Sequence, residues 1–174
     1  TSMNTNFMNG IENYSSESYL GFFDYQLSTP FKMINSLSLI INKSAILSID
    51  YELLDYSSSN LSADFYNFTD TNNDIDSYYT RTSNLRIGGE IRLHNQLSLR
   101  GGYAYYGSPF AGNYNDASQE FLSLGAGLNV NQYFFDMALV NMLSNKDTFI
   151  YDGASKAAIN STKSQLTLSA GFKF

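Results

Sequence analysis

The chain has 174 residues, with 10 Lys and Arg against 16 Asp and Glu, and its net charge of −6 excludes a nucleic-acid surface, which needs basic patches. It has no cysteine, so a disulfide framework and a thiolate metal site are excluded, and no apolar run long enough for a membrane-crossing helix. Charged residues make up only 15% while aromatics reach 16%, with 14 Tyr, 13 Phe and no Trp, a balance that suits strands oily on one face and polar on the other better than a soluble surface.

In chain order, residues 1–17 are polar and unpatterned and read as a connecting segment. No basic stretch leading into an apolar one opens the chain, so it is expected to be a mature protein or a piece of a longer one. Residues 18–26 are a plausible first strand, and 31–41 a second, whose alternation is weak, with Lys32, Ser36 and Ser38 on its polar side. After a short turn at Asn42-Lys43, residues 45–53 alternate cleanly: Ala45, Leu47, Ile49, Tyr51 and Leu53 oppose Ile46, Ser48, Asp50 and Glu52. A long Asn/Asp/Ser-rich loop is expected at about 57–81.

The clearest alternation follows. Over residues 84–93, Leu85, Ile87, Ile91 and Leu93 oppose Arg86, Glu90 and Arg92; beyond a turn at His94-Asn95, Leu97, Leu99, Tyr103 and Tyr105 oppose Ser98, Arg100 and Ala104. Two strands joined so tightly form an antiparallel hairpin. A second long loop at about 107–119 leads to a strand at 121–130, a turn at Asn131-Gln132, and a less clean strand at 133–139 that carries Asp136. A third loop at about 144–163 precedes the last strand, 165–174, where Leu166, Leu168, Ala170, Phe172 and Phe174 oppose Thr167, Ser169, Gly171 and Lys173.

About eight strands of roughly ten residues, with short turns at one end and long loops at the other, predict an all-β protein, a transmembrane antiparallel up-and-down β-barrel in contact with outer-membrane lipid. A soluble β-sandwich or lipocalin-like barrel also alternates. It needs a dry core, however, and here one face is uncharged while the other collects Asp50, Glu52, Arg86, Glu90, Arg92, Arg100 and Asp136 among Gly and Ser. Those seven are expected to face the lumen and pair across neighbouring strands.

Within the first long loop, Phe65, Tyr66 and Phe68 are candidate contacts for a hydrophobic ligand or anchors at the membrane interface. Asp70, Asn72, Asp74 and Asp76 have the spacing of half a calcium loop, but Ile75 stands at the turn glycine and Arg81 at the bidentate glutamate, so no metal is expected. His94 has no acid or serine patterned beside it, and no enzyme and no cofactor are expected. Gly88-Gly89 and Gly101-Gly102 precede no helix and read as strand glycines that permit curvature or close packing against a plug. Leu168, Gly171, Phe172 and Phe174 have the form of a C-terminal signal for the barrel-assembly machinery, since a strand with an aromatic row can add to an open sheet edge.

Several tracts resemble the C-terminal half of the FadL/TodX family of outer-membrane transporters. They are Leu27-Ser28-Thr29-Pro30-Phe31, Ser48-Ile49-Asp50-Tyr51-Glu52, Asn84-Leu85-Arg86-Ile87-Gly88-Gly89-Glu90, Leu99-Arg100-Gly101-Gly102-Tyr103-Ala104-Tyr105 with Gly107-Ser108-Pro109, and residues 166–174. The resemblance implies the C-terminal part of a 14-stranded barrel in a Gram-negative outer membrane, with an N-terminal hatch in the lumen. It also implies passive diffusion of hydrophobic small molecules, long-chain fatty acids or aromatic hydrocarbons. The missing N-terminal half, or a partner chain, would complete the wall. The alternative is a structural or binding barrel subunit of a secretion or assembly complex.

Overall fold

The period-two pattern is realised as one antiparallel sheet. The computed structural model describes residues 23–93, 96–112, 115–148 and 155–173. The strands are β1 (Gln26–Ser28), β2 (Phe31–Ile41), β3 (Ala45–Asp55), β4 (Asn60–Ser62), β5 (Arg81–Leu93), β6 (Leu97–Tyr106), β7 (Gln119–Val130), β8 (Tyr133–Thr148) and β9 (Ala157–Phe172). A 3-10 turn, Tyr56–Ser58, and one helix, α1 (Thr69–Tyr78), complete the elements. Seven strands form a single up-and-down sheet in the order β2-β3-β5-β6-β7-β8-β9, and β1 pairs with β4 in a separate two-stranded piece.

The turns follow from their residues. Asn42 (φ 47°) and Lys43 (φ 57°) both occupy the left-handed region, as a two-residue hairpin of primed type requires, and the Ser44 N–H donates to the Ile41 carbonyl at 3.0 Å. Asn131 (φ 55°) plays the same part between β7 and β8, since asparagine tolerates that region better than a branched residue. The register places like beside like: Leu37 opposite Ile49, Ile49 opposite Ile87, Ile87 opposite Tyr103, Tyr103 opposite Leu122. No apolar core results. Among the described residues the only buried hydrophobic side chain is Leu54, at 9% exposure.

Three expectations need correction. Of the strand expected at 18–26, residues 18–22 and the whole segment 1–17 lie outside the described residues; Phe23, Asp24 and Tyr25 are not in a strand, and β1 belongs to the small sheet. The connection at 57–81 is not an irregular loop but holds the 3-10 turn, β4 and α1. The loop expected at 144–163 is largely strand, because β8 runs on to Thr148 and β9 begins at Ala157, with Ser144 paired to Ser161 and Asp147 to Ala158. Polar residues hid this extension: Asn, Ser and Lys carry no alternation that separates strand from loop.

The helix is held by tertiary hydrogen bonds rather than by propensity. Asn72 Oδ1 accepts the Leu61 N–H at 2.8 Å while its Nδ2 donates to the Leu61 carbonyl at 2.9 Å, so one side chain satisfies both backbone groups of a β4 residue. At its start the Asn67 side chain accepts the Thr69 N–H at 2.8 Å.

A two-faced sheet as the candidate functional site

Odd and even positions of each strand go to opposite faces of the sheet, and the register carries that division across all seven strands. On the polar face the structure brings together all seven of the charged residues picked out from sequence, in two clusters. Near the loop end, Arg86 stands directly opposite Asp50 and meets it at 3.6 Å; its other nitrogen lies 3.6 Å from Glu52, which also takes Lys32 at 3.3 Å. Asn84 donates to Glu52 at 2.9 Å, and Glu52 is only 6% exposed. A buried carboxylate is tolerated because three donors converge on it. Sequence reading left Lys32 and Asn84 out of the network. Lys32 sits on a strand of weak alternation, and nothing in an asparagine's pattern announces a partner across the sheet.

Nearer the short turns, Glu90 takes Arg92 at 2.9 Å and the opposing Arg100 at 2.7 Å. Arg100 also reaches Asp136 at 2.7 Å, across the whole width of β7. That crossing depends on glycine. Arg100 stands opposite Gly125, and Asp136 opposite Gly127. A Cβ on Gly127 would collide with the Asp136 carboxylate and lie 3.3 Å from the Arg100 guanidinium.

Gly88 faces Gly102, and Gly89 faces Gly101. Serine hydroxyls fold over the pair on the polar face: Ser123 Oγ donates to the Gly102 carbonyl at 3.2 Å and Ser48 Oγ to that of Gly88 at 3.4 Å.

The apolar face is open. Leu39, Leu47, Ile49, Ile87, Ile91, Leu99, Leu122, Leu124, Met137, Leu139, Leu166 and Leu168 are all exposed on it. Their distribution is ordered. Tyr51, Tyr103 and Tyr105 stand toward the loop end, Tyr133, Phe135 and Phe172 toward the short-turn end, and aliphatic side chains fill the band between. Sequence reading marked these aromatics strand by strand but not as gathered toward the two ends of one face, which only the register shows.

On the last strand, Leu168 and Phe172 lie on the apolar face opposite Met137 and Tyr133. Gly171, on the other face, lies beneath the Phe134 ring, where a Cβ would meet ring carbons at 2.5 Å. Phe174 and His94 lie outside the described residues.

The loop end carries the remaining candidates. Tyr66 and Phe68 pack edge to face with centroids 4.7 Å apart, and Phe23 joins both at 5.8 and 6.1 Å. Phe65 stays apart and is 100% exposed. Phe65, Tyr66 and Phe68 lie along an open hollow of about 530 Å³ that also includes Leu61 and Asn72. Asp70, Asn72, Asp74 and Asp76 fall on α1, and among the described residues no group of three or more potential metal ligands forms.

Beyond the apolar band, the chain at Asn115–Ser118 is strapped to the extended β8. The Asp147 N–H donates to the Asp116 carbonyl at 3.1 Å, Asp147 Oδ2 accepts the Asp116 N–H at 3.1 Å, and the Asn145 N–H donates to the Ser118 carbonyl at 3.1 Å. A hydrogen bond from the Lys156 ammonium, then that from Asp116, holds the Asp147 carboxyl below the usual carboxylate range. At the end of β3, Asp55 is likewise lowered, chiefly by the Ser57 hydroxyl at 2.7 Å and then by Arg81 at 3.1 Å.

No family model, no curated protein and no solved structure matches the chain.

Proposed function

We propose that this sheet is part of the wall of a FadL/TodX-like β-barrel in the outer membrane of a Gram-negative bacterium. Hydrophobic small molecules, long-chain fatty acids or aromatic hydrocarbons, would diffuse passively through it. One observation carries the membrane part: a largely apolar face, with tyrosines of β3 and β6 toward the loop end and aromatics of β8 and β9 toward the short-turn end, backs onto a face that holds the ion pairs. Lipid tolerates the first, and an aqueous lumen the second. On β8 this face runs from Tyr133 to Leu143, apolar except at Asn141, which accepts the Ser164 hydroxyl at 2.6 Å, over about 33 Å of strand at roughly 3.3 Å per residue. Tilted by about 40°, it stands close to the 25 Å height of an outer-membrane apolar band. The transport part rests on the sequence resemblance, together with the loop-end aromatics Phe23, Tyr66 and Phe68, which suit a hydrophobic solute.

Deleting the gene is expected to lower uptake of radiolabelled long-chain fatty acid or toluene several-fold, with recovery on re-expression. Unchanged uptake of both would sink the transport reading and leave the second one, a barrel subunit of a larger complex. That second reading draws on the outer edges of β2 and β9, which no other strand among the described residues pairs with.

A further inference from the structure

Each piece of the loop end is too small to hold itself. The β1–β4 pair has three residues in each strand, and an isolated two-stranded sheet is marginal in water. α1 has 10 residues, no buried side chain and a composition of poor helix formers. It falls short of the roughly 12–15 residues at which an isolated helix begins to persist. The 107–118 connection holds no helix or strand among its described residues.

What these pieces have is one another. Asn72 of α1 brackets Leu61 of β4, and β4 pairs with β1. Past the other end of the helix, Tyr79 forms a β-bridge with Phe110. The Thr80 N–H donates to the Pro109 carbonyl at 2.9 Å, the Ala111 N–H donates to the Tyr78 carbonyl at 2.8 Å, and the Tyr79 and Phe110 rings stack with centroids 5.4 Å apart. Ser108 carries the connection onward. Its hydroxyl oxygen accepts the Phe110 and Ala117 N–H groups at 3.3 and 3.2 Å, and its O–H donates to the Asn115 carbonyl at 3.2 Å. Asp116 then meets Asp147 through their paired hydrogen bonds, and Asp147 pairs with Lys156 at the entry to β9.

We infer that the β3–β5, β6–β7 and β8–β9 connections form one latch, a cooperative unit that opens as a whole or not at all. Parts that are unstable alone draw their stability from the contacts between them, so losing one contact removes support from both neighbours. The sheet beneath does not share in this, because its strands are held to one another by long ladders. α1 spans about 15 Å at 1.5 Å per residue. The hollow beside Phe65, Tyr66 and Phe68 borders the Asn72 bracket near one end of that rod, and the bridge at Tyr79 lies at the other. Whatever fills the hollow therefore bears on the whole latch.

The inference rests on neither the membrane nor the transport reading. The test is hydrogen exchange of the full protein, with amides of residues 85–91 and 99–105 as the control that the sheet is intact. Ala111→Pro removes the donor to Tyr78 and with it the bridge. Exchange is expected to quicken several-fold on both sides of the break, at Leu61 and Asn72 and at Asp116, Asn145 and Asp147, with the control amides unchanged. Asp147→Ala weakens the far end while leaving the bridge residues in place, and should also quicken exchange at Leu61 and Asn72 several-fold. Changes confined to 78–80 and 109–111 in the first variant, or to 116 and 145–147 in the second, overturn the inference, because the connections then open separately. An unchanged rate at Leu61 in both variants overturns it too. Should Ala111→Pro disturb the control amides, Asp147→Ala decides alone.

Discussion

Along β8, neighbouring residues go to opposite worlds: Leu139 stands in the aliphatic band of one face, and Ala138 stands beside Asp136 on the other. The two faces are specified differently. If lipid covers it, as proposed, the apolar face needs only oily side chains of the right depth, and a Leu, Ile or Met would serve equally in its middle rows. The polar face is specific: Arg100 meets Asp136 across β7 where glycine at position 127 leaves room, and Glu52 is held by three named donors. Under the proposed membrane reading, tolerance on one side and pairwise specification on the other is what a fluid lipid solvent and a structured, aqueous lumen would impose.

The largest effect expected from breaking this contrast is on the apolar face. Leu139→Arg should cost about 2–4 kcal/mol of folding free energy in lipid vesicles, Tyr133→Arg at the rim about 0–1 kcal/mol, and Ala138→Arg, one residue from Leu139, close to nothing. Denaturant titration of the three variants reads this directly. Equal costs at Leu139 and Tyr133 would mean that the face is covered by protein rather than lipid, since only lipid imposes a depth profile.

Next comes the glycine crossing. Gly127→Val puts branched carbons between Arg100 and Asp136 and should cost about 1–3 kcal/mol, the usual range for overpacking. In an Asp136→Ala background most of that penalty should vanish, because the carboxylate nearest to a Cβ at 127 is then gone. An undiminished penalty in the double variant would show that the glycine serves the backbone and not the ion pair.

The smallest effect sharpens the comparison at the loop end, outside the band. Asp147 has a folded pKa below its unfolded value of about 3.9, so its contribution is complete above that value and lost as pH falls through the lower, folded one. Hydrogen exchange, corrected for intrinsic rates, should show the amides of Asp116 and Asp147 protected at pH 6 and progressively less so below pH about 4. Asp147→Asn should flatten that dependence. A parent protein with no acid-linked change would remove Asp147 from the strap.

The strands were legible because alternation is a local property. Residues 84–93 and 97–105 state their faces without reference to the rest of the chain, and the structure keeps both assignments. Where the signal failed, its carrier was missing. The polar extensions of β8 and β9 have no hydrophobic period, and α1 is built from Thr, Asp and Asn, poor helix formers held by the Asn72 bracket. Lys32 and Asn84 escaped the predicted network for a related reason: their roles are defined by residues on other strands.

By itself, then, the sequence determined the class, all-β with one oily and one ionic face, since side-chain direction in a strand depends only on parity. Tertiary structure alone decided which charges meet, which glycines make room, how tall the β8–β9 hairpin stands and where the aromatics line up. Each of these depends on register, and register is a relation between strands far apart in the chain.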